Sequence, residues 1–168
     1  MLNIIAKLRA RRDGNDEGGF TLIELMVVVL IIAILIAIAI PTFLGARSRA
    51  QDKAAQSSLR NALTAAKVIY TDKEDYVLAT PAALLATEPS LTFQVGTVSS
   101  TGPKDVSVAT TAGVPNVITL SGLSKSGSCF WMKDDVSAAG TGTSFNTSAG
   151  PVCKAGTAPA AGWSTSGF

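Results

Sequence analysis

Residues 25–40 read LMVVVLIIAILIAIAI, sixteen apolar side chains in succession, and nothing else in the 168-residue chain limits its folding so strongly. A helix that is apolar all round has no face to offer water, so it belongs in a bilayer or in the middle of a bundle. Counted from Phe20, the segment that ends at Ile40 has 21 residues, about 32 Å of helix, which matches the hydrocarbon thickness of a membrane. Glu24 interrupts it one turn in. An ionisable group inside a span costs about 3 kcal/mol even on lenient insertion scales, and such groups mostly have a partner. Without one, a glutamate near the end of a span reaches for the headgroups.

On either side of the apolar run the chain is ordinary. Residues 1–19 carry Lys7, Arg9, Arg11 and Arg12 followed by DGNDEGG, with no periodic face to bury. Pro41 closes the run, and a kink is expected there because its ring excludes one helical hydrogen bond and crowds the carbonyl of Ala37. Residues 42–70 then place Leu59, Leu63, Ala66 and Tyr70 at helical spacing, which predicts an amphipathic continuation to about Tyr70. From Phe20 that makes 51 residues, about 76 Å of helix. The polar residues 71–75, TDKED, end it, and TPAALLATEP predicts a short helix with Pro81 in its first turn. LTFQVGTVS, KDVSVAT, NVITLSG and SCFWMKD predict short strands of an antiparallel sheet packed on the amphipathic helix. Residues 135–168 are mostly Ser, Thr, Ala and Gly, too poor in large apolar side chains to stay folded by burial.

Two cysteines, Cys129 and Cys153, address that weakness. In an exported domain they are expected to form a disulfide. The bridge closes a 25-residue loop, worth about 3.5 kcal/mol on the loop-entropy model. The expected fold is therefore α+β, a long kinked N-terminal helix whose first half is transmembrane, packed on a small antiparallel β-sheet, with a disulfide-closed C-terminal region.

Several function classes fall away. Fourteen basic and twelve acidic residues give a net charge of +2 with no basic patch, so no nucleic-acid site is expected. Histidine is absent, and neither a nucleophilic triad, a P-loop nor a metal-ligand cluster is present, so no enzyme, metal or cofactor is expected. Asp134 and Asp135 read as a solvated turn rather than a calcium site. GTGTSFN reads as a flexible segment, and Asn146, which opens an NTS sequon, as part of a surface loop.

The stretch GGFTLIELMVVVLIIAILIAIAIP, residues 18–41, resembles the class III signal and helix start of type IV prepilins and pseudopilins. Gly19 immediately precedes Phe20, Glu24 is the fifth residue counted from Phe20, an apolar span follows, and Pro41 closes it. The resemblance implies that a membrane-embedded prepilin peptidase cuts between Gly19 and Phe20, that the new Phe20 amine is methylated, and that Glu24 acts in subunit assembly. It divides the chain into a cleaved leader (1–19), a transmembrane and filament-core helix (20–41), an amphipathic helix (42–70) and a globular head (71–168). The leader is longer than usual for pilins whose mature chain starts with Phe. Asp16 and Glu17 stand where basic residues are more typical. Four basic residues precede the span and three follow it, Arg47, Arg49 and Lys53, so the positive-inside rule gives little orientation.

Cleavage would convert the amide nitrogen of Phe20 into an ammonium, which can meet the Glu24 carboxylate of an axially shifted neighbour in a low-dielectric bundle. Each copy then carries both halves of a heterologous contact, and such contacts generate open helical filaments. The expected function is a structural subunit of a type IV pilus, with a pseudopilin of a secretion or DNA-uptake system as the alternative. The disulfide-closed tail favours the pilus subunit. A remoter alternative is a soluble binding protein released by ordinary signal peptidase after AIA, residues 37–39. Expected partners are copies of the chain itself, the peptidase, the pilus assembly platform and motor, and the membrane before assembly.

Overall fold

The computed structural model describes residues 19–140 and 142–168. Of the expected leader, Lys7, Arg9, Arg11, Arg12, Asp16, Glu17 and Gly18 lie outside the described residues. The chain divides into two compact units, Met1–Phe43 and Leu44–Phe168. Helix α1, Leu22–Lys73, contributes to both.

Within the first unit the apolar residues from Phe20 to Phe43 are exposed. This part of α1 is long and apolar enough to cross a membrane. Pro41 stands inside the continuous helix, where it has no N–H to offer Ala37. The Thr42 hydroxyl donates to the Ile38 carbonyl at 3.1 Å.

In the second unit α1 runs three residues beyond the expected end. It stops at Glu74, whose φ of 53° is the left-handed conformation that terminates helices. Ala55, Leu59, Ala62, Leu63 and Ala66 are buried, the face that the spacing predicts. A 3₁₀ turn, Tyr76–Leu78, is capped by Asp75, which accepts from the Val77 N–H at 2.7 Å. The short helix α2, Pro81–Thr87, has the expected Pro in its first turn, and Thr80 caps it by accepting from the Ala83 N–H.

Five strands follow, β1 (Thr92–Val95), β2 (Asp105–Thr111), β3 (Val114–Leu123), β4 (Ser128–Asp135) and β5 (Gly142–Ala149), in spatial order β1-β2-β3-β4-β5. The α+β expectation holds, with two differences. β1 pairs with β2 in parallel, because residues 96–104 carry the chain back to the same end of the sheet. The segment containing GTGTSFN is largely a strand, since β5 pairs with β4 from Ser128↔Ala149 to Asp135↔Gly142. Ladder hydrogen bonds join main-chain groups and do not require apolar side chains.

Strand alternation sorts the sheet into two faces. Val108, Leu120, Met132 and Phe145 stand side by side in one row. They pack with the buried face of α1, Tyr76, Leu84 and Phe93 in the main core. On the other face Ser107, Ser121, Trp131 and Asn146 stand side by side, and the C-terminal segment lies across them as a strap. The strap is held in place chiefly by polar contacts. Ser107 Oγ accepts from the Ala155 N–H at 3.1 Å, Ser121 Oγ donates to the Cys153 carbonyl at 3.0 Å, Trp131 Nε1 donates to the Lys154 carbonyl at 3.3 Å, and Asn146 Nδ2 donates to the Ala161 carbonyl at 2.8 Å. One row of side chains across four strands thus grips one run of backbone. Cys129 and Cys153 are disulfide-bonded, with Cα atoms 5.4 Å apart. They form a second small cluster with Trp131, Leu123, Ala158 and Trp163.

Two polar expectations are corrected here. Asn146 is buried on β5 rather than in a surface loop, its amide nitrogen committed to the strap. Asp134 is 1% exposed on β4 and so is not part of a solvated turn. Only Asp135 is turn-like, accepting from the Ser137 N–H and hydroxyl.

Candidate assembly site

Helix α1 begins at Leu22, so Glu24 lies in its first turn rather than a turn inside it. Thr21, Leu22, Ile23 and Glu24 make the reciprocal arrangement in which a threonine before a helix and a glutamate three residues on satisfy each other's backbone. The Thr21 N–H donates to Glu24 Oε2 at 2.8 Å, the Thr21 hydroxyl donates to the same oxygen at 2.7 Å, and the Glu24 N–H donates to Thr21 Oγ1 at 3.3 Å. The Thr21 carbonyl accepts the first helical bond, from the Leu25 N–H at 3.2 Å. Four N–H groups at a helix start have no partner within the helix, and in an apolar medium each is costly to leave bare. A carboxylate there also faces the positive end of the helix dipole. The sequence reading passed over Thr21, although a threonine three residues before a glutamate at the head of an apolar run is a helix-start signature.

Gly19, Phe20 and Glu24 are consecutive features of one short exposed segment. Phe20 is 85% exposed. A Cβ added to Gly19 meets nothing within 4 Å among the described residues. Thus no steric need for glycine at position 19 arises from the described part of this chain.

A second polar centre lies in the other unit. Asp134 accepts from Tyr76 Oη at 2.6 Å and from Thr143 Oγ1 at 2.6 Å, and its Oδ1 is 3.0 Å from Lys67 Nζ. Burial raises the Asp134 pKa, but the hydrogen bonds from Thr143, Tyr76 and Lys67 and the Lys67 charge outweigh burial and hold it below the usual carboxylate range. Burial, then the bond to the Asp134 carboxylate and its charge, push the Tyr76 phenol above its usual range. The four side chains join α1, the 3₁₀ turn, β4 and β5, which makes the centre a fastening of the head.

Residues 14–40 match the family model described as the prokaryotic N-terminal methylation motif. Among curated proteins, the type IV major pilin protein PilA of Myxococcus xanthus (strain DK1622) is 33% identical over 69 residues. The match covers 41% of this chain and 31% of that relative. No solved structure matches the chain. The methylation motif thus stands at the head of a long exposed apolar helix, a disulfide-closed α+β head lies downstream in the chain, and over 69 residues the chain is similar to a type IV major pilin.

Proposed function

We propose that the chain is the structural subunit of a type IV pilus. The observation that carries this reading is the coincidence of the methylation motif with a helix start whose side chains from Leu22 to Phe43 are exposed. So much bare apolar surface requires a bilayer or other helices around it. In this reading prepilin peptidase cuts between Gly19 and Phe20, and the freed Phe20 amine is methylated. Residues 20–41 first span the cell membrane and later form the filament core, Pro41 supplies the kink, residues 42–70 form the amphipathic helix, and residues 71–168 form the exposed head of an extracellular pilus. Assembly draws on the platform and motor, and each copy binds other copies.

Glu24 then has two duties. The hydrogen bonds of its carboxylate among the described residues all end on Oε2, in the capping contact with Thr21. Oε1 is the oxygen that would take the Phe20 ammonium of a neighbour. In low dielectric such a pair penalises misregister, because a buried charge without its partner is strongly destabilising. The likeness over 69 residues to a major pilin supports the pilin reading.

Two measurements on the same sample test the proposal. Intact mass of the subunit in sheared surface filaments should correspond to a chain beginning at Phe20 with one added methyl. Electron microscopy should show long filaments in which this chain is the main component. A mature N-terminus at Ile40 would establish the secreted protein instead, and correct processing without long filaments would establish the pseudopilin.

A further inference from the structure

We propose that the strap gates the disulfide: Cys129 and Cys153 exchange electrons with an external thiol only when the strap lifts from the outer face of the sheet, so the bridge must form before the strap is seated. Both cysteines are 0% exposed. Thiol–disulfide exchange needs a thiolate to reach a sulfur directly, and access is one of the quantities that set its rate. The cover over these sulfurs is specific. Besides the side-chain row already described, Ser99 Oγ accepts from the Cys153 N–H at 2.8 Å, the Ser100 N–H donates to the Cys153 carbonyl at 2.9 Å, and the Gly156 N–H donates to the Gly96 carbonyl at 2.9 Å. Ser107 and Ser121 are each 0% exposed. A hydroxyl buried on a strand needs a partner: Ser121 donates to the strap, while Ser107 donates to the Val95 carbonyl at 3.4 Å and accepts from the strap's Ala155 N–H.

The approach is also close. A Cβ on Gly156 would lie 2.9 Å from the Gly96 carbonyl oxygen, so the strap descends to a distance that only glycine permits at that position. Cys153 is therefore fixed by contacts that do not involve its sulfur. They hold it against Cys129 and close the path to both.

The chemistry balances through an exchange partner. In reduction by dithiothreitol, one of its thiolates attacks a cysteine sulfur and breaks the bridge, forming a mixed disulfide. Its second thiol then displaces the remaining cysteine, closing an oxidised ring. Two electrons and two protons end on Cys129 and Cys153. Oxidation in the cell is the reverse, with the disulfide of an exchange protein as electron acceptor. Because forward and reverse pass through the same open state, a sealed strap blocks both.

The test follows reduction of the full chain in detergent micelles by dithiothreitol, quenched with iodoacetamide, with doubly alkylated protein counted by mass. Wild type should be reduced at least about 100-fold more slowly than the same protein in guanidinium, since the sulfurs are reached only through local opening. Ser107→Ala and Ser121→Ala should each speed reduction about five-fold, the effect of one lost buried hydrogen bond, and Gly156→Ala should speed it too. Ile118→Val, which weakens the opposite face of the sheet, where Ile118 is fully buried, should leave the rate unchanged. Reduction of wild type at the unfolded rate would overturn the proposal, and that comparison needs no variant. Equal acceleration by Ile118→Val and Ser121→Ala would also overturn it, because the sulfurs would then be reached by unfolding of the whole head.

Discussion

Replacing Glu24 by Gln keeps the helix start intact, since an amide oxygen accepts from Thr21 as a carboxylate does, and removes only the charge. If the charge meets a neighbour's ammonium, the yield of sheared filaments, normalised to mature subunit in the membrane, should fall at least about ten-fold, the equivalent of 1.4 kcal/mol. Insertion should be unharmed or improved, because a neutral amide is easier to bury than an ion. Near wild-type yield would leave the carboxylate with capping alone. Glu24→Asp keeps charge but shortens reach, and it should also assemble poorly. Asp134 and Tyr76 predict a pH window for the head. The depressed carboxyl stabilises fully above its unfolded value of about 3.9, and that contribution is lost as pH falls through the folded value. The raised phenol contributes fully below its unfolded value of about 10, and that contribution is lost as pH climbs beyond it. Thermal melts should therefore decline at both ends, and Tyr76→Phe should flatten the alkaline decline. An alkaline slope unchanged in that variant would remove Tyr76 from the account.

Helix α1 and the strap were unequally legible from sequence. The apolar run, the buried spacing of Leu59, Leu63 and Ala66, the short helix after Thr80 and the cysteine pair all announce themselves through side-chain type and period. β5 and the strap do not. The strand is held by its main-chain ladder to β4, and the strap by serine, asparagine and tryptophan groups brought into one row by pairing register. A single sequence does not display that register. Asp134 was misread for the same reason, because its three donors come from residues 67, 76 and 143, distant in the chain. At this scale the packing of α1 on the sheet gives a direct test. Leu59 is fully buried, and a Cβ built on Gly122 of β3 would sit 3.4 Å from its Cγ. Leu59→Ala should destabilise the head by about 2–5 kcal/mol in denaturant unfolding. Leu85→Ala, on a side chain 47% exposed, should cost less than about 1 kcal/mol.

For the molecule as a whole, the two units make different demands on their surroundings. Among the described residues a Cβ at Gly19 meets nothing within 4 Å, so Gly19→Leu should fold and insert normally. If a peptidase site fitted to bare backbone reads this position, uncut precursor should nonetheless accumulate, visible as a heavier band in membranes. Normal maturation of that variant would count against processing at this bond. The head, by contrast, is fastened internally, by Asp134 on one face of the sheet and by the strap on the other. The chain has two tryptophans, Trp131 and Trp163, and both belong to the disulfide cluster beneath and within the strap. Disulfides quench excited indoles by accepting an electron at short range, so the native emission should be weak, and reduction should brighten it and shift it red as water reaches the rings. Helix α1 contributes no indole at all. The intrinsic fluorescence of the purified protein is therefore a spectroscopic gauge of this one region, readable without any attached dye.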